Sequence, residues 1–401
     1  VLHEPDRHEP LAPIAWDAAL AHAAIARIVR DAEDRFCSEH YWPPHPLDVE
    51  PADDPDVAPT SLYWGATGVL WALDHLRSVG AVSLRRDPLA ELDTLLARHH
   101  VWLAANGIDN HASYLSGDTP ILMMAFGREP SPELGDRLAG LIEGHLDHPA
   151  RELMLGSPGT LLAALFLHER TAEQRWAALF RFGAERLWAQ LEWSAEHACH
   201  FWTQQIFGTR CSYLDAVHGF VGNAKVLIRG RHLLGEAWPG WQHCIETTVQ
   251  RTAAWEGDCA SWRDELHVPP ARRIKKLMQY CHGAPGFVIC PADLPGTGLD
   301  DLLLAGGRAT WAAGPLTKGS NLCHGTGGNG YAFLKLYRRT GDAVWLDRAR
   351  AFAMHGIAQT DADRARFGQG RYSLWTGDIG FAIYLWDCIR GTARFPTLDV
   401  F

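Results

Sequence analysis

The sequence predicts an all-α protein, a seven-fold α/α barrel (toroid) of alternating outer and inner helices. Three observations predict it. A Gly-x-x-Gly unit that opens an apolar run recurs in seven copies, about fifty residues apart, and repetition at such a period signals one supersecondary unit used over and over. Longer amphipathic patterns alternate with these copies, with apolar residues three and four apart and charge on the other face. Strand signals, meaning β-branched alternation with tight hairpin turns, are nearly absent.

The elements follow in chain order. An outer helix is expected over 16–36, WDAALAHAAIARIVRDAEDRF, followed by a Pro-rich loop up to residue 60. The first inner helix opens at Gly65 and Gly68 in WGATGVLWAL. A second outer pattern, 89–104, leads to the weakest copy, SGDTPILMMAF, where Gly117 is kept and Pro120 replaces the second glycine. LGSPGTLLAALFL carries Gly156 and Gly159, and the outer pattern 173–192 follows. HGFVGNAKVLI carries Gly219 and Gly222, YCHGAPGFVIC carries Gly283 and Gly286, and CHGTGGNGYAFLKLYRR carries Gly325 and Gly328. After the outer pattern 343–358, TGDIGFAIYLWD closes the set with Gly377 and Gly380. A missing side chain permits positive φ and close backbone approach at each turn into an inner helix. Residues 1–401 read as a single domain.

Composition narrows the function. With 47% hydrophobic and 21% charged residues, a large core is within reach. A net charge of −10 argues against a general nucleic-acid binder, which needs a basic face. No apolar run is long enough to span a membrane. The opening stretch VLHEPDRHEP has no signal-peptide core, so the cytoplasm is the expected location. The chain begins at Val1, so its natural start is expected upstream. Nine irregularly spaced cysteines read as reduced thiols rather than a disulfide framework. No phosphate-binding loop or nucleotide fingerprint is present.

In a closed ring all inner helices present their N-termini at one end, forming a cup. The residue before each first glycine should face that cup. It is Trp64, Ser116, Leu155, His218, His282, His324 and Thr376 in turn. One position further back stand Cys281 and Cys323. Repetition of the fold therefore brings Cys281, Cys323 and His324 together. Two thiols and an imidazole leave the fourth tetrahedral position open, the pattern of a catalytic zinc. The alternative for each Cys-His pair alone is a buried thiol beside a hydrogen-bonded histidine. EHACH offers His197, Cys199 and His200, but outside the glycine slots, and His40 and His45 fall in the Pro-rich loop, as a lid or surface.

The stretches YCHGAPG, KGSNLCHGTGGNGYAFLKLYRRTGD, DAVHGFVG and SLWTGDIG resemble the lanthionine synthetase C-like family. The resemblance runs through all seven glycine copies and implies a seven-fold α/α barrel with one zinc, its ligands Cys281, Cys323 and His324. It implies addition of a thiol to dehydroalanine or dehydrobutyrine in a peptide or protein, with His218 as acid/base. His282 is read as acid/base support and Asp118 as a catalytic carboxylate or a helix N-cap. Lys318 and Arg371 would hold glutathione, and Tyr280 stands with them where tryptophan is more usual. Leu277 occupies a slot where ring-forming cyclases can carry arginine, which favours glutathione as the thiol. The expected partners are thus glutathione and a dehydrated peptide or protein. The alternatives are a lanthionine-forming cyclase, a glycan-active α/α-barrel enzyme using Asp118 and Asp378, and a non-catalytic binding module.

Overall fold

In a computed structural model, which describes residues 1–49, 57–269, 272 and 274–401, helices carry the fold. They are α1 (Ala18–Arg35), α2 (Ala66–Ser78), α3 (Leu92–Ala105), α4 (Thr119–Arg128), α5 (Pro132–Gly144), α6 (Ser157–Thr171), α7 (Gln174–Ala189) and α8 (Phe220–Arg229). A single turn, α9 (Arg231–Leu234), leads to α10 (Trp238–Arg251), α11 (Ala284–Ile289), α12 (Asp300–Ala313), α13 (Thr326–Thr340), α14 (Ala343–Phe367) and α15 (Asp378–Arg390). Residues 50–56 of the expected Pro-rich loop lie outside the described residues.

The two helix classes differ in what they bury. Outer α1 buries one stripe, Ala21, Ala24, Ile25, Ile28, Val29 and Ala32, and its N-cap Asp17 accepts from the Ala19 and Leu20 amides. Inner α6 is buried without interruption from Ser157 to Leu167, and inner α8 from Phe220 to Ile228. Inner helices α2, α4, α6, α8, α11, α13 and α15 pack each on the next, and α15 returns to α2. Outer α1 lies on α15, so the first outer helix covers the last inner one and the ring closes as expected.

The glycines act through close approach more than through φ. A Cβ on Gly328 would lie 1.8 Å from the Leu322 carbonyl oxygen and 3.2 Å from the Tyr280 Cβ of the preceding repeat. On Gly68 it would lie 2.2 Å from the Leu62 oxygen and 2.8 Å from the Leu374 Cβ of the seventh repeat. Among the first glycines of the seven units only Gly283 has a positive φ, 101°. Gly65, Gly156, Gly219, Gly325 and Gly377 are extended, so the expectation of positive φ is corrected to one of tight packing.

Three short antiparallel hairpins were not legible as alternation. They pair β1 (Glu192–Ser194) with β2 (Cys199–Phe201), β3 (Gln204–Ile206) with β4 (Thr209–Cys211), and β5 (Ala253–Glu256) with β6 (Cys259–Trp262). Strands of three or four residues are too short for a period of two to register. The residues after Gly391 enter the middle of the ring. Phe395 packs on Tyr280, Tyr331 and Trp375, and Phe401 reaches Trp71, Tyr114 and Phe166. Among the described residues no helix is long and apolar enough to cross a membrane.

Candidate metal centre

The turns before the inner helices are built alike. The residue four before each first glycine is polar in every copy: Ser61, Ser113, Glu152, Asp215, Gln279, Asn321 and Ser373. Its side chain accepts the amide of the residue before the glycine in five turns. The pairs are Ser61 with Trp64 (3.0 Å), Ser113 with Ser116 (3.0 Å), Glu152 with Leu155 (2.6 Å), Asp215 with His218 (2.8 Å) and Asn321 with His324 (3.0 Å). In the last turn Ser373 Oγ bonds Thr376 Oγ1 at 2.7 Å. These local bonds shape six of the seven turns.

A backbone belt then sets neighbouring turns in register. The Cys281 amide donates to the Cys323 carbonyl (3.1 Å), Cys323 to Trp375 (2.8 Å), Trp375 to Tyr63 (3.3 Å), and Tyr63 to Leu115 (3.1 Å). Each of these residues sits two before its first glycine. The belt places Cys281 beside Cys323, and ligand atoms of Cys281, Cys323 and His324 all lie within 4.8 Å of one another. Both cysteines are buried while His324 is partly exposed, so the set opens on one side. Thiols and imidazole suit a borderline cation such as zinc, and the open side suits a fourth ligand from outside. Each sulfur also accepts one hydrogen bond. Tyr63 Oη donates to Cys323 Sγ at 2.6 Å, and Gln279 Nε2 to Cys281 Sγ at 2.9 Å. Burial, with Cys323 beside it, pushes the Cys281 thiol well above its ordinary pKa.

Two histidines are tied to buried carboxylates. His218 Nδ1 lies 3.2 Å from Glu152 Oε2, and His282 Nδ1 lies 2.9 Å from Asp215 Oδ2, the latter an ion pair off the hydrogen-bond line. Glu152 and Asp215 are fully buried. Each carboxylate thus caps its own turn and pairs with the histidine of the next repeat. Burial pulls the His218 imidazole down, but Glu152 outweighs it, and the pKa is pushed up to about 9. For His282 burial again opposes and Asp215 prevails, giving about 9.

The other sequence-derived residues are placed differently. Tyr280 is fully buried, stacked on Phe395 at 4.6 Å, with its hydroxyl 3.5 Å from the Ala216 carbonyl, so it faces the core and not a ligand. Lys318 is exposed. Arg371 holds Asp48 through both Nε (2.7 Å) and Nη2. Asp118 is buried and makes no capping bond; its carboxylate meets His100, His111 and Arg137. Cys199 is a core thiol, pushed up to about 11 by burial. His40 is exposed, whereas His45 packs on Phe367 at 4.7 Å. Sequence reasoning missed Glu152, Asp215, Tyr63 and Gln279. The polar residue recurring four before each first glycine was the available signal for three of them.

Residues 56–400 match the family model described as lanthionine synthetase C-like protein. A Danio rerio protein described as glutathione S-transferase LANCL1 is 35% identical over 137 residues, covering 31% of this chain and 32% of that protein. The Arabidopsis thaliana LanC-like protein GCL1 is 40% identical over 134 residues, 31% of each chain. The chain thus spans about a third of the length of the curated relatives it matches. The solved structure of nisin cyclase shares the fold, with a TM-score of 0.62 at 15% identity over 94% of this chain and 97% of that one.

Proposed function

The chain belongs to the lanthionine synthetase C-like family, and on that premise we propose that it adds the thiol of glutathione to dehydroalanine or dehydrobutyrine residues of a peptide or protein. The observation that carries this reading is the convergence of Cys281, Cys323 and His324 within 4.8 Å, next to two histidines paired with buried carboxylates. A zinc ion held by those three residues would supply a Lewis acid that lowers the pKa of an incoming thiol from about 8.5 toward neutrality. The reaction forms one C–S bond at the β-carbon, breaks the C=C π bond, and leaves a carbanion equivalent at the α-carbon. His218, protonated at neutral pH and steadied through Nδ1 by Glu152, carries a second N–H at Nε2 to deliver there. The thiol proton restores His218, so atoms and charge balance. Asp215 holds His282 beside Cys281 as support. Exposed Lys318 offers a cation to a glutathione carboxylate. Arg371 can do so once it exchanges Asp48.

One extensive hydrophobic core runs from Ala24 to Leu398, in keeping with residues 1–401 acting as a single unit. All nine cysteines are free, in keeping with a reducing compartment such as the cytoplasm. The decisive experiment is mass spectrometry of a dehydrobutyrine peptide incubated with glutathione and this protein, with and without a zinc chelator. A zinc-dependent gain of one glutathione is expected. If protein shown to hold zinc makes no adduct, glutathione is the wrong thiol, and a peptide cysteine closing a ring becomes the substrate to try.

The pH dependence is also fixed by this reading. His218 must be protonated to act as the acid, so activity should fall as pH rises through about 9. Glu152→Gln removes the charge that holds the proton, and the alkaline limb should move down by about 1–3 pH units. A pH–rate profile checks this. An unmoved limb would remove His218 from the acid role.

A further inference from the structure

Away from the cysteines, a second set of donors converges between α3, α4 and α5. His99 and His100 are consecutive on α3, His111 lies in the turn before α4, and Asp118 stands at the start of α4. His100 Nε2 is 2.8 Å from Asp118 Oδ2, and His111 Nδ1 is 3.3 Å from both carboxylate oxygens. Ligand atoms of His100, His111 and Asp118 lie within 4.8 Å of one another. Two metal–ligand bonds of about 2.0–2.1 Å at a tetrahedral angle put neighbouring ligands about 3.3 Å apart. The observed spacings to the carboxylate, 2.8 and 3.3 Å, lie at or a little below that value.

A separate feature points to a cation. His99 is fully buried, and its Nε2 has no hydrogen-bond partner while facing Asp118 Oδ1 at 3.8 Å. Its other nitrogen is 2.9 Å from the Thr60 hydroxyl. When Nδ1 gives its proton to Thr60, Nε2 turns a lone pair toward a buried carboxylate. That arrangement is costly in a dry interior without a positive charge between the two. Arg137, with Nη2 3.3 Å from Asp118 Oδ2 and 43% of its side chain exposed, balances the carboxylate from the solvent side and is free to swing away.

We propose that His100, His111 and Asp118, with His99 facing the carboxylate from the buried side, form a second metal site for a divalent cation of the Zn2+ class. Imidazole and carboxylate without sulfur select a borderline ion rather than Mg2+ or Ca2+. The site would pin α3 to the first turn of α4. It does not depend on the reading of the cysteine set.

The test is zinc stoichiometry by inductively coupled plasma mass spectrometry after dialysis of the full chain against Zn2+. The chain should hold two equivalents, His111→Ala one, Cys281→Ser one, and the double variant none. His111 is partly exposed, so its removal leaves the core intact. Zinc should raise the melting temperature of Cys281→Ser, and His111→Ala added to that variant should abolish the rise. Two results would overturn the site: Cys281→Ser holding no zinc, or His111→Ala holding as much as the parent. A Cys281→Ser variant that keeps both equivalents would count against the cysteine centre alone.

Discussion

Cys281→Ala or Cys323→Ala should each release the metal of the cysteine centre and lower thiol addition by at least about a thousandfold, since a lost Lewis acid forfeits several kcal/mol of transition-state stabilisation. Either change leaves one thiol and one imidazole, too few protein ligands to hold a catalytic zinc. The remaining sulfur keeps its donor, Tyr63 for Cys323 or Gln279 for Cys281. One hydrogen bond cannot replace a divalent charge. Cys259→Ala is the matched control: that thiol lies on β6 and is only partly buried, and it should change neither metal content nor rate. Metal content and adduct formation measured on the same preparations separate loss of the ion from loss of the fold. Full activity in either alanine variant would end the zinc-dependent reading.

Repetition made much of this legible. Seven glycine units predicted seven inner helices, and equivalent slots predicted that residues 281, 323 and 324 would meet. What stayed hidden depends on contacts between repeats. Tyr63 belongs to the first turn and Cys323 to the sixth, so their bond exists only because the ring closes through Trp375. Glu152 looks like one acid among many until the turn of its own repeat buries it beside the next repeat's histidine. Tyr280 adjoins a ligand in sequence, yet in a turn entering a helix adjacent side chains point to different layers, and its ring joins the core. Arg371 reads as a free cation because Asp48, its partner, is 323 positions away.

The largest effect on stability is expected from Lys225→Ala. Lys225 is fully buried on α8, with Nζ 2.9 Å from Asp293 Oδ2 and 2.5 Å from Asp399 Oδ1. Lys335 on α13 completes a square, 2.8 Å from Asp293 Oδ2 and 3.0 Å from Asp399 Oδ2. Two ammonium groups and two carboxylates balance while all four stay. Removing one lysine leaves two carboxylates sharing a single cation inside the ring. Breaking a buried pair in this way costs about 3–5 kcal/mol, which chemical denaturation resolves. Adding Asp399→Asn should recover part of that loss by restoring the charge balance, and the non-additivity measures the coupling. Acid gives an independent handle. Burial pushes the Asp399 carboxyl up, but the two lysines prevail and hold it down at about 2. Its contribution is therefore present above the ordinary carboxylate pKa and lost as pH falls through about 2. A cost below about 1 kcal/mol for Lys225→Ala would mean that water reaches the cluster. Helices α8 and α13 open at the turns that carry His218, Cys323 and His324, so this clamp at the ring's axis fixes two of the helices on which the cup depends.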